Sequence, residues 1–429
     1  MTKDKVDSRL VLRESPEKNN LEYKVLATLE TSESGVLPVL LKFPSEVYEA
    51  LGGFNQGDVL KCFVKWKEPF RYKNPGTPDY RKILLRQKVF LTASIYHEYD
   101  CVVEERHTLK GLDAWINSLR QKSVQEIQKN LSPLSAIFIQ ALTLGDRSGF
   151  QKEDWDLFQK TGTTHLIAVS GLHLTLIGGI FYFLILFFLK RSEAFMLLHS
   201  TKAWAMILSL LPMAVFVLVT GSSVSAWRAW MMLAVLATSL LLSRDRDHWS
   251  TLAFAFLILT ILNPASLFSI SFQLSFLAIV GLIVSEKFIE GKSFWKKTII
   301  ASVSIFLTTA ACVILHFNKI SLSGIVHNLW AIPYTNALLL LSFILISLES
   351  FSLPYLTLGW KLLDILSQWF LKILKVVSAF SLQFSFYPDS FESVLLMVVT
   401  ILIFVWIVLP LNRRQVVIGF SLVILSFLF

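Results

Sequence analysis

The hydrophobic rhythm of the chain changes twice. From Leu21 to about Arg106, apolar residues come in short β-prone runs at 21–31, 36–43, 58–67, 89–97 and 101–105. Gly35, Gly52-Gly53, Asn55, Gly57 and Asn74-Pro75-Gly76 separate them, and residues of this kind end strands by turning the backbone. In the clearest run Leu60, Cys62, Val64 and Trp66 alternate with Lys61, Phe63, Lys65 and Lys67. Side chains alternate across a strand, so the first set reads as core and the second as a basic face with one exposed ring. Short strands at this spacing predict a small barrel of the OB type over residues 21–106. Residues 1–20 are polar and hold no apolar core of signal-peptide length; they read as a disordered lead-in.

From Leu109 the spacing turns helical. Leu109, Leu112, Trp115, Ile116 and Leu119 share one face, which Ile127, Leu131, Leu134 and Phe138 continue. Residues 107–163 are therefore expected to form an amphipathic helical connector, at the membrane surface or packed on a bundle, with a turn at 142–149 and a short helix at 152–160.

Beyond residue 164 the apolar runs approach the roughly 20 residues needed to cross a bilayer. Candidates are 165–189, 203–219, 224–242, 248–262, 266–284, 298–315, 320–348, 353–374 and 394–411, with a shorter final run at 416–429. The 320–348 run is long for one span, and Pro333 is expected to break it into re-entrant halves. The predicted fold class is a mainly α, polytopic membrane bundle of about nine or ten spans over 164–429, carrying an N-terminal OB-like extramembrane domain.

Composition sharpens this division. The chain has 429 residues, 54% hydrophobic and 17% charged. Residues 1–163 hold 24 Lys+Arg and 22 Asp+Glu, whereas residues 164–429 hold 16 and 9. Loop cations then orient the bundle. Lys190, Arg191 and Lys202 follow the first span, Arg244 and Arg246 the third, and Lys287, Lys292, Lys296 and Lys297 the fifth. The intervening loops 220–223 and 263–265 have none, and Lys319 is the exception. These exits read as cytoplasmic, which leaves the N-terminal domain outside.

Chemistry narrows the classes further. No phosphate loop is present, which argues against ATP hydrolysis. No C-x-x-C pair or Cys/His cluster has zinc spacing, so neither a metal nor another cofactor is expected. Cys312 sits in an apolar run and reads as a small buried residue. Cys62 and Cys101 can pair if their domain faces an oxidising compartment; the alternative is two unrelated buried thiols.

Between Lys61 and Lys88 lie nine cations (Lys61, Lys65, Lys67, Arg71, Lys73, Arg81, Lys82, Arg86 and Lys88) against Glu68 and Asp79. With Phe63, Phe70, Tyr72 and Tyr80 they suit single-stranded nucleic acid, whose phosphates follow cations while its bases stack on rings. A solvated charged face, or a surface docked on lipid headgroups, is the alternative. Inside the spans the polar residues Ser170, His173, Arg228, Gln273 and Asn328 are costly and mark either a pathway or hydrogen bonds that pin neighbouring helices.

Five stretches resemble the ComEC competence-protein family, an inner-membrane DNA-uptake channel. In order they are Ala141–Gly149; Phe158–His173 with its His-Leu-Ile-Ala-Val-Ser-Gly-Leu-His string; Thr220–Ala229; Asn263–Phe276; and His316–Pro333. The resemblance implies an outside domain that receives DNA and a bundle that passes one strand inward. It favours Lys61, Phe63, Lys65, Lys67, Arg71, Lys73, Arg81, Lys82 and Arg86 as DNA contacts, Ser170, His173, Arg228, Gln273 and Asn328 as channel lining, and a Cys62–Cys101 bridge. Implied partners are single-stranded DNA, the lipid bilayer, a separate ATPase or helicase, a DNA receptor and nuclease, and a second copy of the chain. Members often open with membrane helices before the barrel, and long members end in a metallo-β-lactamase-like domain whose H-x-H-x-D-H string is absent here; neither catalytic residues nor nuclease activity are expected. Two rival classes are a small-solute transporter, for which broken spans near Gly171 and Pro333 speak, and an intramembrane hydrolase using Ser170 with His165 or His173. The hydrolase lacks both a G-x-S-x-G elbow and an acid in the span.

Overall fold

The computed structural model describes residues 6–13, 16–19, 22–30, 36–54, 56–69, 81, 84–85, 89–106, 111–198, 200–221, 224–241, 248–317, 319–349 and 356–385. It divides into two compact units, Met1–Ser118 and Leu119–Phe429.

The N-terminal unit is a seven-stranded sheet. Its strands are β1 (Val6–Leu12), β2 (Glu17–Asn19), β3 (Glu22–Glu30), β4 (Val36–Pro44), β5 (Val59–Val64), β6 (Leu91–Ser94) and β7 (Cys101–Glu105). The order is β6-β4-β3-β1-β5-β7, with β2 paired to β3. Pairing is antiparallel except between β4 and β6. The expected lead-in is therefore corrected. β1 lies between β3 and β5, because Ser8, Leu10 and Leu12 turn inward while Asp7 and Arg9 turn out, a half-buried alternation masked by the surrounding charges. Of the expected barrel the sheet is observed and regular closure is not: among the described residues the strand path ends at β6 and β7, and β6 is linked back only where Lys67, three residues past β5, exchanges backbone hydrogen bonds with Thr92 at 2.9 and 2.8 Å. Leu10, Leu12, Val25, Val39, Leu41, Phe43, Leu60, Cys62 and Val64 fill one core. The short helix α1 (Ser45–Ala50) adds Val47 and Tyr48, whose ring stacks on Tyr23 at 3.9 Å. Cys62 and Cys101 are opposite in the β5–β7 register and are joined by a disulfide.

The helical unit carries most of the chain. Its helices are α2 (Leu112–Asn130), which begins just before the unit boundary, α3 (Pro133–Leu144), α4 (Lys152–Thr161), α5 (Gly171–Leu189), α6 (Glu193–Leu198), α7 (Thr201–Val219), α8 (Val224–Leu241), α9 (His248–Leu262), α10 (Ile270–Ile289), α11 (Phe294–Phe317), α12 (Ser323–Glu349) and α13 (Leu356–Ser378). Two short strands, β8 (Lys319–Ser321) and β9 (Gln383–Ser385), pair antiparallel. Five helices, α5, α7, α10, α11 and α12, are long and apolar enough to cross a membrane, whereas α8 and α9 are shorter apolar helices. The protein is a multi-pass membrane protein.

Of the two placements expected for the 107–163 connector, packing on the bundle is the one observed, since α3 is buried along nearly its whole length and Phe138 stacks on Phe370 at 5.1 Å. An apolar run that is buried all round reads as amphipathic only when its polar members, here Ser135, Gln140 and Thr143, are taken for a surface. Pro333 does not break its span, because α12 continues through it; a membrane helix tolerates proline when neighbours re-satisfy the freed backbone. The expected span at 353–374 is the amphipathic helix α13, with Trp360, Leu363, Ser367, Phe370, Leu371 and Leu374 buried at helical spacing and Lys361, Asp364, Lys372 and Lys375 along its length. The two last expected spans, 394–411 and 416–429, lie outside the described residues.

Candidate functional site

The five motif stretches meet in three dimensions. α3 ends at Gly145, whose φ of 70° is left-handed and whose Cα faces the Thr220 carbonyl so closely that a Cβ would stand 2.8 Å from it. This joins the first motif to the third. The Ser225 hydroxyl donates to the Val169 carbonyl at 3.0 Å, and Gly171 lies against Ala229, joining the second to the third. Arg228 Nη2 donates to the Ser271 carbonyl and hydroxyl, each at 2.7 Å, which reaches the fourth. His316 Nε2 donates to Gln273 Oε1 at 3.1 Å, which reaches the fifth. His327 Nδ1 donates to the Thr161 carbonyl at 3.0 Å, Ser321 donates to the Lys160 carbonyl at 2.8 Å, and Gly162 abuts Gly324. The last contacts return to the second motif, so motifs two, three, four and five form a closed circuit.

Within this circuit the sequence-selected residues have distinct environments. Ser170 and His173 make a reciprocal cap at the start of α5: Ser170 Oγ accepts from the His173 backbone N–H, and His173 Nδ1 accepts from that of Ser170, both at 3.4 Å. His173 is fully buried, and its Nε2 has no partner. Arg228 is 2% exposed; its Nε and Nη1 are buried without acceptors, and its guanidinium stands 5.9 Å from the Phe272 ring centroid. Gln273 is fully engaged, donating to the Leu267 carbonyl at 3.2 Å and accepting from Cys312 as well as His316. Asn328 is half-buried with an unpartnered Oδ1, and so is Asn336 two turns on along α12. The structure thus links Arg228 to Ser271 and Gln273 to His316. It shows no direct hydrogen bond from His173 or Asn328 to these pairs among the described residues. A buried polar atom left without a partner costs about 1–3 kcal/mol, so several of them in one bundle call for water or a ligand to satisfy them.

His316, His327, Ser271 and Asn336 did not stand out in the sequence reading. The histidines carried a signal, since ionisable residues in apolar runs are rare. Ser271 carried none, because a serine at a helix start is common.

These helices define the chain's kinship. A family model described as competence protein matches residues 142–413, more than half the chain. The chain belongs to the competence protein family. Among curated relatives of this competence-family chain, ComE operon protein 3 of Bacillus subtilis (strain 168) is 31% identical over 271 residues, 62% of this chain and 33% of that protein. Recombination protein 2 of Haemophilus influenzae is 28% identical over 245 residues, 52% of this chain and 30% of that protein. Competence protein ComA of Neisseria gonorrhoeae is 28% identical over 156 residues, 36% and 22% respectively. The chain spans about a third or less of the length of these relatives. No solved structure matches it.

The N-terminal face combines cations, acids and rings. As the alternation predicts, Leu60, Cys62 and Val64 are buried and Lys61, Lys65 and Lys67 are exposed, with Phe63 51% exposed. Arg81 is also exposed, while Arg71, Lys73, Lys82 and Arg86, with Phe70, Tyr72 and Tyr80, lie outside the described residues. Strands β1 and β7 set acids beside this basic face. Lys61 pairs with Asp7 at 3.1 Å, and Arg9 pairs with Glu104 at 2.8 Å and Glu105 at 2.9 Å. Exposed rings that the sequence reading passed over are Tyr96 and Tyr99, the latter 74% exposed and stacked on His97 at 4.9 Å.

Proposed function

We propose that this protein carries single-stranded DNA across the bacterial cytoplasmic membrane during natural transformation, with its N-terminal unit on the outer side. The observation that carries this reading is the circuit of family motifs within a membrane bundle, which leaves the polar atoms of His173, Arg228, Asn328 and Asn336 unsatisfied. A polyanion needs a wet or cationic route through a low-dielectric slab, and a solid apolar interior has no reason to keep such groups. Loop cations supply the orientation. In this reading the chain is not an enzyme. An ATPase or helicase, a DNA receptor and a nuclease act as separate partners, and a second copy of the chain can complete the assembly.

The rivals gain less from the geometry. Ser170 and His173 bond each other's backbone, the arrangement of a helix cap rather than of a nucleophile and its base. The unbroken α12 removes one of the two interrupted spans on which a small-solute transporter reading stood.

The test is a clean deletion in a naturally competent host, complemented by the full chain. Labelled duplex DNA is expected to bind the deletion strain normally but to yield no label resistant to external nuclease, and complementation to restore it. Internalisation at the wild-type level in the deletion strain would refute the proposal.

A further inference from the structure

One long helix begins at the Arg228 side chain. α10 starts at Ile270 behind its cap Ser269, and the Arg228 guanidinium sits in its first turn, held by both acceptors of Ser271. A helix N-terminus presents a partial positive charge and attracts anions. Here one such end meets a guanidinium that stays charged in proteins.

Among the described residues no carboxylate pairs with Arg228. α5, α7 and α8 contain no Asp or Glu. The one acid of α10, Glu286, is 15 residues beyond Ser271, about 22 Å at the helical rise, and pairs with His248. An arginine has five N–H donors. Ser271 occupies the two on Nη2, so the three on Nε and Nη1 are buried and unanswered.

We infer that Arg228 and the first turn of α10 form a binding site for the oxyanion of a phosphodiester. Resting on the transfer reading, this makes Arg228 a way-station for successive phosphates, with Ser271 fixing the guanidinium so that its remaining donors face the passing strand. A phospholipid headgroup offers the same chemistry, and the experiment separates the two sources.

The full chain is purified in maltoside micelles as wild type, Arg228→Gln and Arg228→Lys. A labelled single-stranded 20-mer is titrated across salt concentrations, and phospholipid phosphorus retained by each protein is assayed. Each phosphate contact contributes a slope of about −0.7 in log affinity against log salt for single strands. Arg228→Gln is expected to flatten the slope by about this amount and to lower transformation at least tenfold at normal protein levels, while Arg228→Lys keeps the slope. Loss of bound phospholipid in Arg228→Gln with an unchanged DNA slope supports the oxyanion site and assigns it to a headgroup. An unchanged slope together with unchanged phospholipid overturns the site. Wild-type protein that fails to restore DNA uptake, yet shows the Arg228-dependent phosphate effect, refutes the transfer reading and leaves the site standing. A merely structural arginine would lower the melting temperature of both variants without altering the slope.

Discussion

The contact between Gly162 and Gly324 closes the motif circuit, and its cost of disruption follows from geometry. At Gly162 φ is +70°, and an added Cβ would stand 2.8 Å from the Gly324 Cα and 3.1 Å from its nitrogen. Left-handed backbone costs an alanine about 1–2 kcal/mol. Overpacking two backbones costs about 1–3 kcal/mol more, because no flexible side-chain end is there to move. Gly162→Ala should therefore lose about 2–5 kcal/mol. At about 2 °C per kcal/mol for a unit of this size, the midpoint should fall by about 4–10 °C. Two controls separate the causes. Gly291 has φ of +68° with nothing within 4 Å of the added atom, so Gly291→Ala carries the strain alone, about 2–4 °C. Gly179 lies within α5 with open space around it, and Gly179→Ala should gain about 0.5–1 kcal/mol in helix stability. Thermal unfolding in detergent, read by intrinsic fluorescence, ranks the three. If Gly162→Ala melts no lower than Gly291→Ala, the close approach of α4 to α12 is wrong and the circuit is open.

Three further outcomes are expected. The Cys62–Cys101 bridge spans a separation of 39 residues, and the loop-entropy relation gives about 4 kcal/mol for it; Cys62→Ser with Cys101→Ser should lower the unfolding midpoint of the N-terminal unit in urea, and an unchanged midpoint removes the bridge. Gln273→Leu removes the acceptor that His316 and Cys312 share and should cost about 1–3 kcal/mol, with a cycle to His316→Phe showing that the two losses are not additive. Asp7→Asn releases Lys61 from its carboxylate, so if DNA uses that face, binding of a single strand should tighten with a salt slope steeper by about 0.7; a slope that does not change places DNA elsewhere.

The parts legible in the sequence were those with a strong period. The β5 alternation is observed residue for residue, and the first eight expected spans each overlap a helix, because twenty apolar residues in a row have few alternatives. What escaped depended on partners far along the chain. β1 is a strand because β3 and β5 flank it, and nothing within Val6–Leu12 announces those neighbours. α3 looked peripheral because its surroundings, Phe158 on α4 and Phe370 on α13, lie up to some 230 residues away. Closure of the sheet was not legible for a similar reason, since strand count does not say how the edges meet, and here they meet through the bridge from Lys67 to Thr92. At the site, the single-residue signals identified Arg228 and Gln273, but not that Ser271 and His316 hold them.

The two units treat charge in opposite ways, and this bears on how a polyanion would be handled. On the sheet, Lys61 and Arg9 already have carboxylate partners and stand in solvent. Exposed pairs of this kind are worth at most about 1 kcal/mol, so an arriving phosphate can exchange with Asp7 or Glu104 at little cost, and binding stays weak and reversible. In the bundle, Arg228 is buried, has no carboxylate partner among the described residues and keeps three donors open. Removing a guanidinium from water without a counter-charge costs several kcal/mol, a deficit that only an anion or water entering the bundle relieves. With the sheet on the outer side, as proposed above, weak exchangeable contact there and an unsatisfied cation in the bundle would give a demand for negative charge that rises inward. That gradient needs no cation-rich surface at the entrance, which is why the mixed charge of the β1–β5–β7 face is compatible with transfer, whereas a carboxylate beside Arg228 would not be.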